Sequence, residues 1–352
     1  MRSIRRQTGC WDGEIVSEPL LAVRDLRVRM PGRDGPVTIV DGIDFSVGAS
    51  EVVGIAGESG SGKTMTALAL LGLQPNSAVV TGEASFGGRN LVALKPRELR
   101  DVRGKEIAFV FQDPMTSLHP MLSISRQLTE HMRRHLGLDK PESRRRAIAL
   151  LEEVRIPEPE RAANAFPHQF SGGMRQRIMI AMALACEPKL LIADEPTTAL
   201  DVTVQAGILR LLDRLRRERE MAILLVTHDL GVMSSLADRL IVFYAGRIAE
   251  AGATRDLLAR PRHPYTEQLL LALPGQDDAD RSLKPIRGVP ATPHDRPSGC
   301  AFHPRCPYAE PTCALKVPEV ESVAPHRWLA CPVAPLDGTY ERQGDGLRGT
   351  AV

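Results

Sequence analysis

Four short segments carry residue types that together handle a phosphoryl group. Gly57, Glu58, Ser59, Gly60, Ser61, Gly62, Lys63 and Thr64 fit G-x-x-x-x-G-K-[ST]. The glycines let backbone N–H groups converge on phosphate oxygens, and a helix opening behind the loop adds its positive N-terminal end. Lys63 is expected to contact the β- and γ-phosphates of ATP, and the Thr64 hydroxyl to ligate Mg²⁺. Asp194 and Glu195 close the apolar run Leu190-Leu-Ile-Ala. Acids at the carboxyl edge of a parallel strand face a nucleotide crevice. There Asp194 is expected to hold Mg²⁺, mostly through water, and Glu195 to polarise an attacking water. Ser171-Gly172-Gly173-Met174-Arg175-Gln176 opens a helix whose N-terminus can bind another anionic oxygen, although Ser171 would equally serve as a plain N-cap. His228, in Thr227-His228-Asp229, follows an apolar run and can reach a γ-phosphate.

These residues need strands and helices in fixed places, and the chain supplies the pattern. Glu51-Val-Val-Gly-Ile-Ala56 reads as a buried parallel strand. It runs into the glycine loop, with a helix expected over 64–73, which is the context a phosphate loop requires. Alternating residues from Leu20 predict a half-buried strand, and 37–47 predicts one or two more. Residues 91–165 read as a mostly helical insert, apart from the short strand 107–111. Strands at 190–194 and 223–227 alternate with helices, which is α/β grammar. Residues 240–244 and 247–250, joined by Ala245-Gly246, predict a hairpin.

Composition sets broad bounds. The 352 residues are 43% hydrophobic and 25% charged, as in ordinary globular proteins, and the net charge of +2 gives no reason to expect nucleic acid as a partner. No apolar run approaches the ~20 residues that span a bilayer. The basic N-terminus has no apolar core behind it, so no signal peptide is expected and the chain should stay in the cytoplasm.

At Phe170-Ser-Gly-Gly-Met-Arg-Gln-Arg177 the chain resembles the ABC-type ATPases, whose signature is close to L-S-G-G-Q, with Met174 in place of the usual Gln. The resemblance implies a P-loop NTPase fold of the ABC-ATPase kind: a RecA-like α/β core, an antiparallel β subdomain and a helical subdomain over about 113–178. It implies that Ser171, Gly172, Gly173, Met174 and Gln176 serve ATP held by an opposite subunit. Gln112 matches the Q-loop glutamine, which links Mg²⁺ and water to a membrane subunit. Asp201, in Ala199-Leu200-Asp201, matches the D-loop, and His228 the switch histidine. One departure concerns adenine, usually stacked on an aromatic residue of the first hairpin. The matching region near Met30 has none between Ala22 and Asp44.

Three segments narrow the resemblance to ATP-binding subunits of dipeptide and oligopeptide importers: Phe111–Pro120, with His119 where Asn is more usual, Ala193–Thr203, and the His263-Pro-Tyr stretch ending at Pro274. It implies an ATPase powering peptide import, peripheral to the cytoplasmic face of the plasma membrane. The implied partners are a second homologous ATPase subunit, two transmembrane permease subunits and an extracytoplasmic binding protein. Relatives in this group also import nickel, glutathione or opines. A soluble ABC protein of translation or DNA repair is the rival class, but such proteins usually carry two cassettes or a long coiled coil, and neither is present here.

Cys300, Cys306, Cys313 and Cys331 gather near the C-terminus. In a cytosolic protein such a group reads as metal binding before disulfides, and four thiolates suit zinc or an iron–sulfur cluster. The spacing fits neither a C-x₂-C knuckle nor the ferredoxin run. The resemblance implies a [4Fe–4S] cluster on these four residues. The alternatives are Zn²⁺, with His303 or His326 as substitute ligands, or plain thiols. The expected organisation is an arm over 1–18, the ATPase domain over 19–274, a linker over 275–299, a small cysteine module over 300–335 and a tail over 336–352.

Overall fold

The structure is a computed structural model and describes residues 18–113, 117–198, 200–272 and 285–334. The expected N-terminal arm, the first half of the linker, the tail and Ala199 lie almost entirely or wholly outside the described residues. The strands are β1 Leu21–Met30, β2 Val37–Val47, β3 Val52–Ala56, β4 Val79–Phe86, β5 Arg89–Asn90, β6 Ile107–Val110, β7 Leu190–Asp194, β8 Ala222–Val226, β9 Arg239–Tyr244, β10 Arg247–Ala253, β11 Glu321–Ala324 and β12 Arg327–Leu329. They form two sheets. One is four-stranded and antiparallel, in the order β2-β1-β4-β5. The other is eight-stranded, in the order β11-β12-β10-β9-β3-β8-β7-β6.

In the larger sheet β9, β3, β8, β7 and β6 run parallel. Every residue of β3, β7 and β8 is buried, as expected for strands covered on both faces. Period-2 alternation divides β3 between two cores. Val52 and Ala56 pack with the helices Ile124–His135, Lys140–Glu153 and Gly172–Ala183, whereas Val53 and Ile55 pack beneath the antiparallel sheet. Each large aliphatic side chain so buried contributes about 1.5–3 kcal/mol, and this holds the three site-bearing strands in register. Ile55 and Asp194 both pair with Val226, so the ends of β3, β7 and β8 lie side by side.

The predicted strands and the Ala245-Gly246 hairpin form as expected. Two features do not follow from the sequence patterns. Val79–Phe86 completes the antiparallel sheet by pairing with β1. The segment carrying the cysteines is also joined to the core, because β12 pairs with β10 at Glu250–Leu329 and Ala251–Trp328. A buried ion pair secures that join: Glu250, 0% exposed, accepts from Arg327 Nη2 at 2.5 Å and from the backbone N–H groups of Arg262 and His263.

His263 is sealed in the same place, and its Nδ1 accepts from the Tyr265 N–H at 3.0 Å, capping the helix Pro264–Leu271. Burial lowers its pKa from 6.5 to about 4, against a hydrogen bond with Ala330 that raises it. The unfolded chain therefore binds more protons than the folded chain between those values. Stability is fully present above pH 6.5 and should fall as pH drops towards 4, by up to about 3 kcal/mol. Thermal melts across this range should show a shallower slope for His263→Asn, which keeps the cap without titrating.

Candidate functional site

The glycine loop leaves β3 and turns into the helix Lys63–Leu70. Its turn needs Gly57, whose φ is +148°: a Cβ there would lie 2.3 Å from the Phe243 carbonyl oxygen. Ser59, Gly60 and Thr64 are exposed at its mouth, and Ser61, Gly62 and Lys63 are buried. Lys63 Nζ donates to the carbonyls of Gly57 at 2.8 Å and Glu58 at 2.9 Å. The ammonium is thus held inside the loop, where these bonds can be exchanged for phosphate oxygens. Burial lowers its pKa, and the charges of Glu195, Asp194 and Glu58 offset part of that effect.

The acids stand where the strands place them. Thr64 Oγ1 donates to Asp194 Oδ1 at 3.2 Å. Burial pushes the Asp194 carboxyl above its ordinary value, with the Thr64 bond opposing. A hydroxyl and a carboxylate at this spacing are the oxygen donors that suit Mg²⁺, so the residues present fit that ion. Glu195 follows in the left-handed region, φ +47°, with its N–H bonded to the Val226 carbonyl at 2.7 Å. Such backbone strain in a non-glycine residue persists where neighbouring structure imposes it. Three side chains surround the Glu195 carboxylate: Thr198 Oγ1 donates at 2.7 Å, Gln112 Nε2 at 3.1 Å, and His228 Nδ1 lies 2.8 Å away. Burial alone would raise the Glu195 pKa, but the bonds to His228 and Thr198 outweigh it and hold it below the ordinary value. Glu195 is therefore kept ionised, the state a water-orienting base needs.

The structure thus brings together Lys63, Thr64, Gln112, Asp194, Glu195 and His228. It places the signature residues differently. Ser171 caps the helix Gly172–Ala183, accepting from the Met174 N–H at 3.4 Å, and Ser171 and Gly172 face solvent. Gly173 lies where a Cβ would come within 2.6 Å of Val204 Cγ1, on the helix Val202–Arg219. Gln176 is 2% exposed, with a buried Nε2 lacking a partner among the described residues, so it sits inside the packing. Asp201 caps the helix Val202–Arg219 through the Val204 N–H at 2.9 Å. Met30 ends β1 half-buried.

Sequence reasoning missed two contacts. Thr198 as a partner of Glu195 had a local signal, since it stands three residues beyond that acid in the quoted Ala193–Thr203 segment. The other is the grip on Glu58. Its N–H donates to Tyr265 Oη at 2.8 Å, and Arg305 forks its carboxylate. The His-Pro-Tyr stretch was visible, but its spatial target was not.

The cysteines gather in the structure without forming a metal centre. Among the described residues no group of three or more His, Cys, Asp or Glu side chains is arranged to hold a metal ion, so the [4Fe–4S] cluster and its Zn²⁺ alternative are not supported by the geometry. The four thiols do lie within electrostatic reach of one another. Burial first, and their mutual proximity after it, pushes Cys306 up to about 12 and Cys331 up to about 11.

Comparison with known proteins gives a consistent result. The family model described as ABC transporter matches residues 40–198, and that of the oligopeptide/dipeptide transporter C-terminal region matches 249–313. The oligopeptide transport ATP-binding protein OppD of Salmonella typhimurium is 48% identical over 312 residues, 89% of this chain and 93% of that protein. The dipeptide transport ATP-binding protein DppD of Escherichia coli is 46% identical over 319 residues, 90% and 97% of the two chains. Among solved structures, the dimeric post-hydrolysis state of the ATP-binding cassette MJ0796 bound to ADP and Pi superposes with a TM-score of 0.60. It is 28% identical and covers 67% of this chain and 99% of its own.

Proposed function

This chain belongs to the ABC transporter ATP-binding family that includes the oligopeptide and dipeptide transport subunits, and we propose that it hydrolyses ATP to power import of di- or oligopeptides across the plasma membrane. The observation that carries this reading is a single contact. Tyr265, in the segment matched to the oligopeptide/dipeptide transporter C-terminal region, reaches the phosphate loop at the Glu58 N–H. The segment matched to the peptide-transporter region therefore touches the candidate nucleotide site.

The chemistry is phosphoryl transfer to water. Lys63 and the loop N–H groups hold the phosphates, and Thr64, Gln112 and Asp194 would hold Mg²⁺, which when bound would supply neutralisation of developing charge. Glu195 orients the water while Gln112, Thr198 and His228 fix its carboxylate, and His228 stands where the γ-phosphate would be sensed. The exposed Ser171 and Gly172 supply the other half of the chemistry to ATP on a second, homologous ATPase subunit, which makes the dimer the hydrolytic unit. No helix among the described residues is long and apolar enough to cross a membrane. Attachment at the cytoplasmic face would come through two permease subunits served by an extracytoplasmic binding protein. A groove of about 220 Å³ beside β6, the strand preceding Gln112, with Phe109, Phe111, Met179 and Met182 in its walls, supports that attachment, and Phe111 is 43% exposed.

The test is co-purification with the permease subunits and ATPase assay in vesicles containing the binding protein. Stimulation by di- or oligopeptides is expected. Stimulation only by nickel, glutathione or an opine would replace the substrate, and a partnerless ATPase would favour the soluble class.

The four cysteines are proposed to hold an iron–sulfur cluster, a reading that rests on thiol donor chemistry and mutual proximity rather than on a formed cage. When bound, it would act as a cross-link for a segment with little apolar core of its own. Iron and acid-labile sulfide should then be stoichiometric in anaerobically purified protein. Stoichiometric zinc without iron would refute the cluster.

A further inference from the structure

Glu58 occupies one of the variable positions of the phosphate-loop pattern, yet every polar group it carries is engaged. Its N–H donates to Tyr265 Oη, its carbonyl accepts from Lys63 Nζ at 2.9 Å, and its carboxylate meets Arg305. That last contact is bidentate: Arg305 Nη1 donates to Glu58 Oε2 at 2.6 Å and Nη2 to Oε1 at 3.0 Å. The Arg305 side chain is 4% exposed. Its Nε donates to the Arg287 carbonyl at 2.9 Å and Nη1 also to Tyr244 Oη at 3.2 Å, while its guanidinium carbon stands 5.9 Å from the ring centres of both Tyr244 and Phe302. Those rings pack with Tyr265 at centroid distances of 4.6 to 5.2 Å. Arg305 is the residue before Cys306, so the cysteine segment grips the phosphate loop directly.

We propose that Arg305 is a positioning residue for ATP, which holds the phosphate loop through Glu58 and neutralises that carboxylate beside the incoming phosphates. Two physical effects follow. Loop N–H groups must be aimed to a fraction of an ångström to bind phosphate well, and a buried fork on one loop residue limits their wander. A carboxylate next to the loop would repel ATP unless paired, and the guanidinium pairs it in a poorly solvated place where an unmatched charge is costly. The C-terminal segment thereby sets the nucleotide affinity of a site more than 240 residues away in sequence.

The inference rests on the ATPase reading, and the experiment separates the two. Binding of a fluorescent ATP analogue is measured on the purified full chain, with melting followed in parallel. Wild-type chain that fails to bind the analogue refutes the ATPase reading itself. Given wild-type binding, Arg305→Gln is expected to weaken affinity about tenfold, the loss of one charge-assisted contact. Combining it with Glu58→Gln should recover most of that loss, because no unpaired carboxylate remains. A merely structural role would lower the melting temperature of both variants and leave affinity alone. Folded Arg305→Gln with wild-type affinity, or no recovery in the double variant, overturns the proposal. If Arg305→Gln does not fold, Tyr265→Phe carries the test. It removes only the acceptor of the Glu58 N–H, so weaker ATP binding upholds the positioning of the loop through Glu58 and wild-type affinity overturns it.

Discussion

Glu195→Gln should lower the ATP hydrolysis rate by about 10²–10⁴-fold, the usual worth of a positioned general base, while leaving ATP binding intact. The substitution is nearly isosteric. Thr198 Oγ1 and the neighbouring His228 can still bond to an amide, and β7 with its buried residues is untouched. What disappears is the carboxylate, which the structure keeps ionised by bonds to His228 and Thr198 that outweigh its burial. Because that pKa is held low, wild-type hydrolysis should survive mild acidification and fail only as pH drops through the lowered value. Phosphate release and nucleotide binding measured side by side decide the matter. ATP should also hold the variant in a long-lived dimer on size exclusion, since closure without hydrolysis has no release step. Hydrolysis at the wild-type rate would remove Glu195 from the mechanism.

Lys63→Ala should act on binding instead, weakening ATP by about a hundredfold, roughly the worth of a charged hydrogen bond of 2–3 kcal/mol at a phosphate. Its effect on stability should have the opposite sign from most core truncations. Lys63 is 5% exposed, and burial lowers its pKa, so the charged form is held at a cost in the nucleotide-free chain. Removing it relieves that cost, and alanine suits the start of a helix. The melting temperature without nucleotide should therefore hold or rise. The increase that ATP gives the wild type by mass action should vanish. A variant still stabilised by ATP would show that the loop binds phosphate without its lysine.

Much of this site could be read from local pattern. A five-residue strand, a glycine loop and a helix form from contiguous residues, so 51–70 announced both its structure and its ligand. The acids after β7 and the histidine after β8 were legible for the same reason, because a parallel strand buried on both faces is uniformly apolar and its end is sharp. The signature helix was also visible, but the sequence could not tell which of its residues face outwards. Packing against Val204 and the core sends Gln176 inside and leaves Ser171 and Gly172 exposed.

Strand β12 has three residues, too few for a period to register, and it exists because the edge of β10 was open to pair with it. The grouping of four cysteines suggested a metal site, whereas their described side chains gather without forming a cage. The sequence by itself determined the reaction class, since the groups proposed to bind phosphate and orient water lie in short continuous motifs. Only the tertiary structure decided what holds them. The fork from Arg305 to Glu58 and the hydroxyl of Tyr265 act across 247 and 207 residues of chain. Contacts of that range arise from the packing of whole elements, which leaves no period or spacing in the residues themselves.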